Sequence, residues 1–312
     1  MNKNVYIILL IIIIQSLTII NCSAKNSFRQ TIQSLLGSNT IEKNEQKEFS
    51  VASIHSLSLN NCNGSITVKT GPKKSLFLRT IKRAKTEIIA DNIDVVTDIT
   101  NGNHLAITTK NNNKKKNGSV DYELIVPASL NITLTIAGKG NVFIKDVHGM
   151  IDVVAHDDIT IINTKQLASA QSLKKGSINL VNTRGPVEAY THNGNITGDN
   201  IAHNCDARSI KGKINISYKK LPATGSINLK TTSGNIMLAL PTDTNAQICG
   251  YTTYGTFISD HEITLKSYAT KLNKTAWNRF KKEVDGTLGT GDATIIVQST
   301  KGNVKIIETV AT

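Results

Sequence analysis

Basic side chains recur in this sequence directly before a short motif that, in its full form, reads glycine, a small polar residue and an aliphatic residue. Those that precede alternate motifs are Lys139, His156, Lys175 and Lys211, and those that precede the intervening motifs are His148, Lys165 and Arg184. A row of like charges repels itself modestly in water and attracts a linear polyanion with a similar repeat. Solvated lysines that keep sheet edges and turns soluble are the alternative interpretation, and the sequence leaves both open.

Residues suited to catalysis or metal binding are scattered. Asp157 and Asp158 are the only adjacent acidic pair in the repeat region, and they occupy a turn, where aspartate commonly bonds the backbone. The segment 286–291, "GTLGTG", lacks the Lys-Ser/Thr of a phosphate loop, and His261-Glu262 lacks a second histidine four residues later. We therefore expect no catalytic residue, metal or cofactor, and a protein that is not an enzyme. A cluster of three or more carboxylates on one exposed face would instead favour a β-helix enzyme that processes polysaccharides.

The motif recurs about every nine residues and carries two apolar positions separated by one polar residue, which is the pattern of a short, half-buried strand. The first apolar column is Val142, Ile151, Ile159, Ala168, Ile178, Val187, Ile196, Cys205, Ile214, Ile227 and Ile236. Full-strength motifs are about 18 residues apart, with weaker motifs between them. This alternation predicts a coil of about 18 residues that contributes one strand to each of two sheet faces.

A strand and turn of this size cannot bury an apolar face alone, so successive units must stack. We expect an all-β, single-stranded parallel β-solenoid (β-helix) over residues 49–308. The glycine that begins each motif is predicted to adopt a positive φ. The Asn or Ser after it is predicted to satisfy local backbone groups.

The flanking segments depart from the repeat. Residues 25–48 predict a short helix at 26–36 followed by a linker, and residues 104–126 predict a β-hairpin. Residues 266–285 predict a small, partly helical, basic insertion.

Residues 1–24 have the character of a targeting segment, with Lys3 before the apolar run Val5–Ile14. Small residues before Lys25 suit a signal peptidase, the aliphatic residues before Cys22 suit lipidation of that cysteine, and an uncleaved anchor is a third option. In each case we expect export to the periplasm, the outer membrane or the cell surface.

Three further cysteines, Cys62, Cys205 and Cys249, are irregularly spaced and form no Cys-x-x-Cys pair, which disfavours zinc. A Cys205–Cys249 disulfide is one option in an oxidising compartment. The repeat register favours a buried Cys205 thiol instead.

The composition narrows the class of partner. The formal net charge is +13, and aromatic residues make up 4% of the chain. An exported chain with so few aromatic rings lacks a stacking platform for nucleic acid, so no nucleic-acid partner is expected. Its net positive charge suits an anionic envelope polymer, a glycan or lipid head groups. A protein partner or self-association remains open.

Several segments carry a family resemblance: "GSITV", "YELIVPASLNITLTIAGKGNVFIKDVHGMIDVVAHDDITI", the repeats through "TTSGNIMLALP", and "GTLGTGDATIIVQSTKGNVKI". Over about residues 49–308 the chain resembles the bacterial putative adhesin family. The resemblance implies an exported β-solenoid at the envelope or cell surface with an adhesive or scaffold role, and it implies no active site. The chain departs from the family pattern at 266–285 and around Ala168.

Overall fold

The computed structural model describes residues 40–50, 54–71, 75–111, 118–266 and 282–309. The targeting segment with Cys22, the predicted helix at 26–36 and residues 267–281 of the predicted insertion lie outside these ranges. Within them, no helix has the length and apolarity needed to cross a membrane. The elements are β1 Ile41–Ser50, β2 Ser56–Asn61, β3 Ile66–Thr70, β4 Ser75–Ala84, α1 Glu87–Asp91, β5 Ile93–Thr100, β6 His104–Asn111, β7 Gly118–Val126, β8 Asn131–Ile136, β9 Val142–Lys145, β10 Ile151–Ala155, β11 Ile159–Thr164, β12 Ala168–Ser172, β13 Ile178–Thr183, β14 Val187–Thr191, β15 Ile196–Ile201, β16 Cys205–Lys211, β17 Ile214–Tyr218, β18 Ser226–Ser233, β19 Ile236–Leu240, β20 Ala246–Thr252, β21 Phe257–Ser259, β22 Thr264–Leu265, β23 Glu283–Leu288, β24 Ala293–Lys301 and β25 Val304–Glu308.

The strands form two long, mostly parallel sheets. Sheet A has the order β1-β4-β7-β3-β9-β11-β13-β15-β17-β19-β25-β21, and sheet B has the order β22-β23-β20-β24-β18-β16-β14-β12-β10-β8-β2-β6-β5. From β8 to β19 consecutive strands alternate between the sheets, so each pair of strands forms one coil of a solenoid-like stack. The predicted all-β, parallel architecture is confirmed.

The predicted apolar column forms the core. Ile178 lies opposite Ile159 on one side and Ile196 on the other, and all three are fully buried. In sheet B the weak motif at Ala168 forms β12 and pairs with Ile151 and Val187, so the stack is continuous there.

The glycines before the sheet A strands are required by close stacking of the backbone. A Cβ on Gly194 would lie 2.1 Å from the carbonyl oxygen of Gly176, and a Cβ on Gly212 would lie 1.8 Å from that of Gly194. None of these three glycines has a positive φ, so the predicted conformational reason is wrong for them. Neighbouring coils approach each other at this point more closely than a side chain permits.

Among the motif glycines Gly140 has a positive φ, and positive φ also recurs at a column of Asp146, Asn163, Asn182 and Asn200, at the ends of successive sheet A strands. Their side chains form a ladder in which Nδ2 of Asn163, Asn182 and Asn200 each donates to the preceding member, at 2.7, 3.0 and 2.7 Å. Asparagine tolerates the left-handed region because its short polar side chain bonds locally. The recurrence at the coil length was a sequence signal for this column.

The residue after each glycine also joins neighbouring coils. The Asn195 side chain accepts a bond from the Lys213 backbone amide at 2.9 Å, and Asp158 accepts one from that of Ser177 at 2.7 Å. Asp157, which stands at the glycine position of its motif, accepts a bond from the Gly140 amide of the preceding coil at 2.8 Å. The predicted backbone role of these polar residues is confirmed, and the amides that they satisfy belong to neighbouring coils.

Both ends of the stack depart from sequence order. The coil of β2 and β3 lies between the coils β6/β7 and β8/β9, and the coil of β24 and β25 lies between β18/β19 and β20/β21. The predicted hairpin at 104–126 is therefore wrong. Its two strands belong to different sheets, where β6 pairs in parallel with β2, and β7 pairs in parallel with β3. Each of these strands buries its apolar face by extending one sheet of the stack.

Antiparallel strands cover the ends of the sheets. Residues 41–48 of the predicted linker belong to β1, which pairs with β4 and carries ion pairs such as Glu42–Arg83 and Glu45–Lys82. Charged edge strands of this kind discourage pairing with other chains. At the far end β23 pairs antiparallel with β20, so residues 283–285 of the predicted insertion are strand.

Candidate binding surface

The predicted basic row lies along the turn that leads from sheet B to sheet A. Each of its members immediately precedes the position at which successive coils stack their glycines. The predicted members are Lys139, His156, Lys175 and Lys211. With the other residues at the same position included, the order along the coils is Lys139, His156, Lys175, Asn193, Lys211, Ser233 and Lys301. Lysine therefore occupies every second coil, and the residue between two lysines is histidine, asparagine or serine.

Lys301 is the member that sequence reasoning missed. It is 90 residues after Lys211 in the chain, yet Lys211 lies opposite Ser233 and Ser233 lies opposite Lys301. The two are brought together because β24 inserts beside β18. We call Lys139, Lys175, Lys211 and Lys301 the lysine row.

The lysine row is exposed and unneutralised. All four side chains are exposed, and none forms an ion pair with another residue of the described ranges. With neighbouring strands about 4.8 Å apart, adjacent lysines of the row are separated by about 9.6 Å. The row spans six strand spacings, or about 29 Å.

A cleft of about 1400 Å³ opens at the N-terminal end of the lysine row. We call it the N-terminal cleft; its basic lining residues are Arg83, Lys85, Lys139, His156, Lys174, Lys175 and His192. Arg83 is paired with Asp121. Two buried polar atoms at this cleft, Nδ1 of His156 and Oδ1 of Asn193, have no hydrogen-bond partner among the described residues. The cleft thus offers positive charge to an anion.

A second feature marks the other end of the row. Tyr254 occupies the coil beyond Lys301, its backbone amide donates to the Thr300 carbonyl at 3.1 Å, and 74% of its side chain is exposed. Tyr254 and Lys301 line one depression of about 530 Å³. The lysine row therefore ends beside an exposed aromatic ring.

The other predicted row is shorter. His148, Lys165 and Arg184 lie on three successive coils at the turn from sheet A to sheet B, and the Arg184 amide donates to the Thr164 carbonyl at 3.0 Å. The next coil has Ala202 at this position, so this row of basic side chains stops after Arg184.

Three carboxylates share one outer face of sheet B, as the enzymatic alternative requires. Asp152 lies two coils from Glu188, and Glu188 lies directly opposite Asp206. Arg208 binds Asp206 with two hydrogen bonds, Nε to Oδ1 at 2.8 Å and a terminal nitrogen to Oδ2 at 2.7 Å. Within the described ranges, no three His, Cys, Asp or Glu residues are grouped to hold a metal ion.

The three cysteines of the described ranges are unpaired. Cys205 is buried in β16, whereas Cys249 is exposed on β20, three strands away in sheet B. The optional Cys205–Cys249 disulfide is therefore wrong, and the expected buried thiol is confirmed. Burial raises the pKa of Cys205 to about 12. The side chain remains a neutral core residue at physiological pH.

Solved structures to which this chain is similar include a putative adhesin from Bacteroides fragilis NCTC 9343, at 15% identity and a TM-score of 0.43. Another is a putative adhesin from Parabacteroides distasonis ATCC 8503, at 10% identity and a TM-score of 0.41. A putative lipid binding protein from the latter organism has 12% identity and a TM-score of 0.33. Each alignment covers 86% of this chain and 97% of the other. No family model and no curated protein matches the chain.

Proposed function

We propose that this chain is a non-enzymatic, exported β-solenoid, with coils of about 18 residues, that serves as an adhesive or scaffold module of the cell envelope. It binds an anionic partner, either a glycan or lipid head groups, along the lysine row. The observation that carries this proposal is the line of four exposed lysines at every second coil, none of which forms an ion pair with another described residue. The resemblance of the sequence to the putative adhesin family supports the same role.

The physical basis is electrostatic. Exposed like charges about 9.6 Å apart lie slightly beyond one screening length at physiological salt, about 8 Å, and well within the length of about 30 Å at 0.01 M salt, so the row presents a summed positive potential that grows as the salt concentration falls. A bound polyanion would neutralise several lysines at once, and the coil geometry sets their spacing in advance. Binding therefore costs less conformational entropy than it would if the lysines had to be brought together.

The double substitution Lys175→Gln/Lys211→Gln tests the row. Removing its two central charges is expected to weaken binding to an anionic polymer about 10-fold at low salt, since each exposed charge pair contributes up to about 1 kcal/mol. Binding of heparin and of phosphatidylglycerol vesicles can be measured by biolayer interferometry. At about 1 M salt, where the screening length is about 3 Å, the difference should disappear.

The matched control is Lys69→Gln/Lys145→Gln. These exposed lysines lie opposite each other in β3 and β9, outside the row, and their replacement removes the same net charge. Equal losses from the two double variants would show that net charge alone drives binding and would contradict a role for the row.

Export is part of the proposal, and Cys22 leaves three forms of the mature N-terminus open. Mass spectrometry of the chain isolated from its native envelope distinguishes a lipidated Cys22, cleavage before Lys25 and an intact N-terminal anchor.

A second candidate is a polysaccharide-processing enzyme, favoured by the three carboxylates on the face of sheet B. If it is correct, the chain releases reducing ends from an acidic polysaccharide such as polygalacturonate, and Glu188→Gln abolishes that release. Glu188 is the informative position because Arg208 already binds both carboxylate oxygens of Asp206. Absence of turnover by the unmodified chain would eliminate this candidate.

A further inference from the structure

We infer that the partner of the lysine row is a linear acidic polysaccharide with one anionic group per two sugar units, and that one sugar ring stacks on Tyr254. This inference rests on the proposed function and names the class of ligand. It follows from the period of the row, the residues between its lysines, the narrowness of the row and the aromatic ring at its end.

The period of the row is two coils. Lysine recurs about every 9.6 Å, twice the strand spacing, over the whole line from Lys139 to Lys301. A polymer with a charge on every unit would leave every second charge beside an uncharged coil. A polymer that alternates charged and neutral units matches the row along its full length.

The intervening residues suit neutral units. His156, Asn193 and Ser233 occupy the coils between the lysines, and each side chain can exchange hydrogen bonds with hydroxyl groups. Ser233 is exposed, and His156 and Asn193 are partly exposed. Sugar hydroxyls, which both donate and accept, are suited to such positions.

The row is narrow. On one side it borders the stacked glycines, and beyond them lie small polar residues whose side chains bond the next coil. In that polar column from Asn141 to Asn303, Lys213 adds the only positive charge and Asp158 adds a negative one. Beyond the N-terminal cleft, where Lys85, Lys174 and His192 add further basic side chains, the row narrows to a line of charge, which fits an extended chain better than it fits the two-dimensional array of head groups on a membrane.

Tyr254 supplies a platform at one end. Its ring is mostly exposed and lines the same depression as Lys301 and the polar residues Asn235 and Asn303. An exposed aromatic ring beside polar groups suits the face of a sugar, which is apolar in its C–H groups and polar at its rim. A lipid head group requires no such ring.

Oligosaccharides of hyaluronan, which carry one carboxylate per disaccharide, test the inference by isothermal titration calorimetry. Affinity should rise with length up to an octasaccharide, whose four carboxylates match the four lysines of the row, and then level off. Tyr254→Ala should weaken octasaccharide binding about fivefold to 10-fold, and Tyr254→Phe should preserve it. Tyr251→Ala is the matched control, because Tyr251 is an exposed tyrosine on β20, three residues before Tyr254, and does not line the depression.

The outcomes separate this inference from the proposed function. Binding of phosphatidylglycerol vesicles should be unchanged by Tyr254→Ala, since head groups do not use the ring. If vesicles bind through the row and the octasaccharide does not, or if Tyr254→Ala has no effect on the octasaccharide, the inference fails and the proposed function stands. If Lys175→Gln/Lys211→Gln changes the affinity for neither the vesicles nor the octasaccharide, the proposed function fails as well.

Discussion

Replacing Gly194 by alanine is expected to lower the free energy of unfolding by about 3 kcal/mol or more, because the added methyl group has no room between two coils. Its Cβ would lie 2.1 Å from the Gly176 carbonyl oxygen and 2.6 Å from the carbonyl carbon. These atoms belong to the backbone of the neighbouring coil, so relief requires separation of paired strands. Urea denaturation followed by circular dichroism measures the loss.

Gly198→Ala is the matched control, four residues further on in β15. There the new Cβ would meet side-chain atoms, Cδ1 of Ile216 at 2.8 Å and Cγ1 of Ile201 at 3.1 Å. The ends of isoleucine side chains can move, so we expect a loss of about 1 kcal/mol or less. If both variants lost the same stability, close backbone stacking would not be the reason for glycine at position 194.

Replacing Asn182 by alanine is expected to cost about 2–3 kcal/mol. Asn182 has a φ of 53°, donates to Asn163 and accepts from Asn200, so the change removes two bonds of the ladder and places alanine in the left-handed region. Thermal unfolding followed by circular dichroism measures the effect.

Asn182→Gly separates the two causes, because glycine adopts this φ without strain yet lacks the amide. We expect it to lose less stability than alanine does, by about 1 kcal/mol. In a double-mutant cycle, Asn163→Ala should cost less in the Asn182→Ala background than alone, since their shared bond is already broken. Additive losses would contradict a coupled ladder.

The architecture explains how a row of lysines can be maintained at a constant spacing. Each coil repeats the same backbone path, so a side chain at a given position recurs at the strand spacing. A binding surface made in this way requires only that one position in every second coil is lysine. The glycines next to the row keep the coils close and thereby set the spacing of the charges.

The sequence by itself determined the repeating part of the molecule. Its two-residue alternation and its coil length predict which residues are buried, and Ile178, Ile196 and Cys205 lie in the predicted column. The same register predicted that Lys139, Lys175 and Lys211 share one edge. These predictions succeed because, in the middle of the stack, neighbours in space are consecutive coils of the chain.

The tertiary structure alone decided the ends and the residues next to them. The last coil of the chain, β24 and β25, inserts between β18/β19 and β20/β21, which brings Lys301 into the row and places Tyr254 beside it. The repeat in the sequence does not predict pairing between strands that are far apart in the chain. Such pairing depends on which open sheet edge the later strands occupy. The tertiary structure also decided why glycine is required before the sheet A strands, because the close approach of one coil to the next arises only in the packed stack.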